Sequence, residues 1–195
     1  MARTSHVKRS TSETQIEVTL NLDGTGVQDL QTPVPFLDHM LSQLARHGYF
    51  DLTVKAQGDT QIDSHHTVED VGIAVGQAFK EALGDKKGIR RFAEASVPLN
   101  EALAQCIIDI SGRAFFVFNL ELPKAKLGEF DVELVPEFFQ AFSGNSGITL
   151  HFNSPYWNNL HHITEALFKS FARALDSACT LDSRSGEVPS TKGTL

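Results

Sequence analysis

The feature that most constrains this chain is that it repeats itself. The run His65-His66-Thr67-Val68-Glu69 returns as His161-His162-Ile163-Thr164-Glu165, offset by 96 residues. Its flanks return with it: Leu52, Thr53 and Val54 match Ile148, Thr149 and Leu150, while Val71, Val75, Ala78 and Phe79 match Leu167, Phe171, Ala174 and Leu175. Towards the N-terminus, residues 13–24 align with 101–112 at an offset of 88, the kind of shift that loop insertions produce. Helix-like segments, 33–48 and 132–147, lie between the matched stretches, and their best register pairs His39 with Glu137. Apolar periodicity, with Gly24 and Gly112 as turns, reads strand, strand, helix, strand, helix in each copy. The expected fold is one α/β (α+β) domain over residues 1–195, made from two β-β-α-β-α repeats at about 10–87 and 98–181.

Two stretches fall outside the repeat. Residues 122–132 form a longer connection, and residues 182–195 (DSRSGEVPSTKGTL) form a polar tail punctuated by Gly and Pro. The opening MARTSHVKRS lacks the apolar core of a signal peptide; the first strand pattern begins by Thr14, and His6 reads as tail.

Charge narrows the function classes. With 24 acidic against 17 basic residues the net charge is −7, so nucleic acid, whose binding rests on phosphate neutralisation, is not the expected partner. No apolar run approaches the roughly 18 residues of a membrane span. Cys106 and Cys179 stand alone, which argues against a disulfide framework or a thiolate zinc site and for a reducing, cytoplasmic setting.

The eight histidines carry the chemistry. At a helix start, Glu69 shares a face with His65 or His66, but adjacent imidazoles diverge by about 100°. Each His-His-x-x-Glu copy therefore points two imidazoles at two different metal ions, which suggests two metal sites built from both halves or from neighbouring chains. Imidazole with carboxylate and no thiolate suits Mn, Fe, Ni or Zn. An isolated His-His pair is commonly a solvated helix start; retention of both histidines and the glutamate in both copies, while the residues between them diverge, favours ligation. His39 and Glu137 offer one further ligand on each side. His151, aligned with Lys55, reads equally well as an ordinary strand residue, and His47 as a cation closing a helix.

Basic residues gather near turns and helices: Arg90, Arg91, Arg113, Lys169 and, with Ser190 and Thr191, Lys192. Lys169 also suits an exposed ion pair with Glu165, four residues away, worth only about 0.3–0.5 kcal/mol. The site reading is phosphate binding by an Arg fork and a Lys point charge. No nucleotide-binding glycine motif is present, so the phosphate would belong to a small metabolite.

These motifs resemble the imidazoleglycerol-phosphate dehydratase family across nearly the whole chain: ETQI at 13–16, LDGTG at 22–26, FLDHML at 36–41, HHTVEDVGIAVGQA at 65–78, ITLH at 148–151, HHITEALFKSFARAL at 161–175 and PSTKG at 189–193. The duplicated plan likewise resembles the ribosomal protein S5 domain 2 fold. The resemblance implies two divalent metal ions per site, manganese by family, and loss of water from a phosphorylated imidazole substrate. It implies metal ligation by His39, His65, His66, Glu69, His161, His162 and Glu165, with Glu137 standing where many relatives carry a histidine. It also implies phosphate or substrate contacts from Arg91, Arg113, Lys169, Ser190 and Lys192, acid-base work by Glu13, and Gln43 and His47 close to substrate. A homo-oligomer of 24 chains follows from the same resemblance, while Ser190 and Lys192 clustering after Pro189, in a tail otherwise without apolar anchors, suggest that residues 182–195 close over substrate. A dinuclear metallohydrolase of a small phosphorylated metabolite is the alternative, because paired metals also activate water.

Overall fold

A computed structural model describes residues 3–195. The first half runs β1 (Thr4–Ser10), β2 (Thr14–Asn21), β3 (Gln28–Gln31), α1 (Pro35–Gly48), β4 (Asp51–Gly58) and α2 (His65–Leu83). The second runs β5 (Phe92–Leu99), β6 (Ala102–Asp109), β7 (Phe115–Asn119), a hairpin of β8 (Lys126–Leu127) and β9 (Phe130–Asp131), then α3 (Leu134–Ser146), β10 (Thr149–Tyr156) and α4 (Leu160–Cys179). The two sheets have the same order, β1-β2-β4-β3 and β5-β6-β10-β7. In each, only the last pair is parallel. A parallel pair needs a crossover, which α1 and α3 supply.

The α+β duplication agrees with the sequence reading, but each half gains a leading strand. His6 is not tail: it lies in β1 and bonds Glu17 at 2.7 Å. Only Val7 of β1 is buried, and no residue of β5 is. In β1 the inward positions are Ser5, Val7 and Arg9, so apolar alternation is lacking there, whereas β5 alternates half-buried Ala93, Ala95, Val97 and Leu99 with exposed residues, small side chains that give only a weak strand signal. The 122–132 connection folds over as the β8–β9 hairpin.

Strand β2 turns Thr14, Ile16, Val18 and Leu20 inward, and β6 does the same with Ala102, Ala104, Cys106 and Ile108. The helices then pack across the two halves, α1 on α4 and α2 on α3. The core is aromatic: Phe139 lies 4.5 Å from Phe152 and 4.6 Å from Phe168 by ring centroid, and Phe79 meets Phe142 across the halves at 5.4 Å. Close approach of α2 to α3 depends on glycine. A Cβ on Gly72 would lie 2.7 Å from the Phe138 carbonyl oxygen, and one on Gly76 2.6 Å from that of Phe142.

Candidate functional site

Crosswise packing brings polar stripes from different halves together. On α1, His39, Gln43 and His47 recur every four residues and share one face; on α4, His161, Glu165 and Lys169 do the same. Glu165 Oε2 lies 3.2 Å from the Nε2 of both His39 and His161, and its Oε1 is 2.6 Å from Lys169 Nζ. Burial alone would raise the Glu165 carboxyl. Lys169, His39 and His161 together outweigh it and hold the pKa at about 2. His47 is pushed down by burial and by the nearby charges of Lys169 and Arg173. Gln43 donates to the Ser42 hydroxyl and to the His39 carbonyl.

A second group forms at the start of α2. His66 Nδ1 lies 2.9 Å from Asp59 Oδ2 and 3.7 Å from Glu13 Oε2. The bond to Asp59, then the charge of Glu13, raises the His66 pKa. The two triads, His39-His161-Glu165 and Glu13-Asp59-His66, each bring ligand-type atoms within 4.8 Å of one another. Asn159 caps α4 by accepting from the His162 amide, whereas in α2 the residue at the matching repeat position, Asp63, lies one residue before the N-cap Ser64 and accepts from the His65 amide.

The adjacent imidazoles diverge as their spacing requires, with interplanar angles of 89° for His65 and His66 and 82° for His161 and His162. His65 stays near Glu69, at 3.9 Å. His162 turns to Glu101, whose two carboxylate oxygens both lie 3.1 Å from Nδ1. Glu137 is half-buried in the first turn of α3 and lies outside both triads. His151 sits on β10, 6.3 Å from the Phe115 ring centroid.

Asp59 and Glu101 were absent from the site residues read in the sequence, although both had signals there. Glu101 is the repeat partner of Glu13, and Asp59 precedes the His-His pair by one loop. Asp59 Oδ1 is buried without a hydrogen-bond partner among the described residues. With Oδ2 on Nδ1, Asp59 sets the His66 tautomer that leaves Nε2 free to ligate. Donors of this kind, imidazole and carboxylate without thiolate, fit a divalent metal of the manganese or zinc class.

A separate open cleft of about 590 Å³ is lined by Arg91, Arg113, Ser190 and Lys192. Lys169 is not there; it belongs to the α1–α4 seam. Arg91 pairs with Asp109 and donates through Nη1 to the Pro189 carbonyl at 2.8 Å, so it ties the tail while leaving N–H groups for an anion. Gly88 N donates to the Glu187 carbonyl, a further backbone anchor of the tail. Beside His39 and His161, Phe130 of the hairpin stacks 5.0 Å from Phe36, whose edge meets His161 at 5.6 Å.

A family model of imidazoleglycerol-phosphate dehydratase matches residues 32–175. The chain belongs to that family. It is 58% identical over 195 residues to the imidazoleglycerol-phosphate dehydratase of Pelobacter propionicus, with both chains covered completely. It is 57% identical to that of Ruegeria pomeroyi over 194 residues, 99% of this chain and 100% of the relative. The crystal structure of the dehydratase from Staphylococcus aureus superposes with a TM-score of 0.83 at 39% identity, covering 91% of this chain and 99% of that one. That from Pyrococcus furiosus gives 0.84 at 32% identity, with 97% and 100% covered. Both strands and site-bearing helices thus follow the fold of dehydratase structures in this family.

Proposed function

We propose that this chain is a hydro-lyase of histidine biosynthesis that converts imidazoleglycerol phosphate into imidazole acetol phosphate. Membership of the dehydratase family carries this reading, and the histidine–carboxylate triads support it. His39, His65, His66, Glu69, Glu137, His161, His162 and Glu165 are the residues that would hold two divalent metal ions, with manganese suited to their nitrogen and oxygen donors. Such ions supply Lewis-acid stabilisation of charge developing on an imidazole ring.

The remaining chemistry belongs to the side chains. Hydroxide leaves the carbon bearing the ring and the proton leaves its hydroxyl-bearing neighbour, giving an enol on that neighbour that becomes the ketone. Glu13 carries that proton, since it is exposed and adjoins His66. Gln43 and His47 flank the reacting part of the substrate from α1, and Lys169 neutralises Glu165 at the same seam. Arg91, Arg113, Ser190 and Lys192 grip the phosphate, which orients the glycerol chain without entering the chemistry. The tail orders further around that anion.

The working form is a homo-oligomer, 24 chains by family resemblance, in the cytoplasm. Phe92, Phe115 and Tyr156 are each at least 60% exposed on the second sheet and supply apolar surface for association. No helix among the described residues is long and apolar enough to cross a membrane. Product analysis tests the reaction: manganese-loaded protein incubated with imidazoleglycerol phosphate is expected to form the ketone with its phosphate still attached. Release of inorganic phosphate instead would assign the site to a metallohydrolase.

A further inference from the structure

Behind the loop that carries Glu13 lies a buried polar relay. Asp70, 6% exposed on α2, accepts from Arg9 Nε at 3.0 Å and Nη2 at 2.7 Å through Oδ1, and from the Thr14 hydroxyl through Oδ2. Since a carboxylate ion only accepts, the direction of every further bond follows. The Thr14 hydrogen is spent on Asp70, so Thr11 Oγ1 donates to Thr14 Oγ1 across 3.2 Å. Thr11 Oγ1 in turn accepts the amides of Glu13 at 3.1 Å and Thr14 at 2.9 Å, and the Thr11 amide closes the turn on the Thr14 carbonyl. One chain of bonds therefore runs from the metal-site helix to the backbone of Glu13.

The second half folds the same hairpin without any of it. The register Arg9↔Ile16 in the first sheet corresponds to Val97↔Ala104 in the second, so Arg9, Thr11 and Thr14 correspond to Val97, Leu99 and Ala102. At the 96-residue offset Asp70 corresponds to Ala166. An apolar set thus supports the β5–β6 turn and its glutamate, Glu101. The fold does not require a buried charge at this place, and burying one costs free energy unless it is fully bonded.

We propose that Arg9, Thr14 and Asp70 are positioning residues for Glu13, locking its loop so that the carboxylate stands beside His66 at the reacting carbon. The inference rests on Glu13 being the proton carrier. Placement of a reacting group matters at this scale, because an error of about 1 Å can lower turnover by about 10²-fold.

The test transplants the second half's residues into the assembled, manganese-loaded enzyme as Arg9→Val, Thr14→Ala and Asp70→Ala together, with Thr14→Ala alone as a milder variant. Expected are wild-type metal content, KM within about twofold, kcat lowered by about 10²-fold, and faster hydrogen exchange at the Glu13 and Thr14 amides. Thr14→Ala should show the same pattern with a smaller kcat loss, and Thr14→Ser should recover most of it. In a Glu13→Gln background the transplant should change the residual rate by less than about twofold, since residues acting as a unit are non-additive. Wild-type kcat in the folded transplant, loss of metal from it, or fully multiplicative losses with Glu13→Gln would each overturn the inference. If the transplant does not fold, unchanged kcat in Thr14→Ala does so. Wild-type kcat in Glu13→Gln itself would instead remove the proton-carrier reading on which the inference stands.

Discussion

The α1–α4 and α2–α3 seams descend from the same repeat, yet they have been put to different uses. Where α1 presents His39, Gln43 and His47, α3 presents Glu137, Ala141 and Asn145; where α4 presents His161, Glu165 and Lys169, α2 presents His65, Glu69 and Ile73. Only the first position of each α1/α3 stripe and the first two of each α4/α2 stripe keep metal-ligand chemistry in both seams. The spacing residues differ as well. Gly72 and Gly76 admit the α3 backbone, whereas α4 carries Phe168 and Ala172 at the equivalent positions. One seam is closed as core below His65, Glu69 and Glu137. The other keeps a ladder of polar groups along its length.

Breaking the polar seam should have the largest effect. His161→Ala removes one corner of a triad, so the purified protein should lose metal and its turnover should fall by more than the 10–100-fold typical of outer-shell changes. Metal analysis alongside initial rates checks both. Truncation after Glu187 removes Ser190 and Lys192 but retains the Glu187 carbonyl that Gly88 binds. Folding and metal content should survive while KM rises about tenfold or more, the scale of losing a charge-assisted bond to phosphate. Wild-type kinetics in that variant would make the tail only a terminus.

Two smaller effects sharpen the contrast between halves. Asp59→Asn should weaken metal binding by about 10–100-fold, because the buried carboxylate fixes the His66 tautomer. Glu101→Gln, which alters an exposed partner of His162, should weaken it less; equal losses on calorimetric titration would erase the distinction. Gly72→Ala sets a Cβ against the Phe138 carbonyl and should cost about 1–3 kcal/mol in denaturant unfolding, with metal stoichiometry unchanged.

Acid titration gives the smallest signal. In metal-free protein the Glu165 carboxyl, held at about 2, contributes stability above its unfolded value near 4.5 that is lost as pH falls from there towards 2. Replacing Lys169 by Met removes a principal cause of that depression. The acid-induced loss contributed by Glu165 should then shrink, read as a shallower fall of the unfolding midpoint over that window.

Much of this was legible in sequence because duplication is a long-range signal that local periodicity lacks. The repeat placed His39 and Glu137 in equivalent turns and foretold the divergence of each imidazole pair. What it could not convey was crosswise packing: residues 39 and 165 share no local pattern, and only the contact of α1 with α4 brings them to 3.2 Å. Lys169 was read as a phosphate ligand or an exposed pair with Glu165; it is paired, at 18% side-chain exposure, inside a histidine cluster. Strand β1 carries one buried apolar residue and so little sequence signal, while β5 does alternate, but through small residues interrupted by Pro98. Asp59 was passed over because a loop carboxylate is unremarkable until its burial is known.

Manganese titration of metal-stripped protein, followed by equilibrium dialysis, tests most directly the proposal that the repeated histidine and carboxylate residues hold two divalent metal ions. Two ions per chain are expected in the wild type. In Glu137→Gln one of the two should weaken, since an amide is a poorer ligand than a carboxylate, while Glu137→His should retain both. No specific manganese uptake by the wild type, or two unaltered sites in Glu137→Gln, would contradict the account.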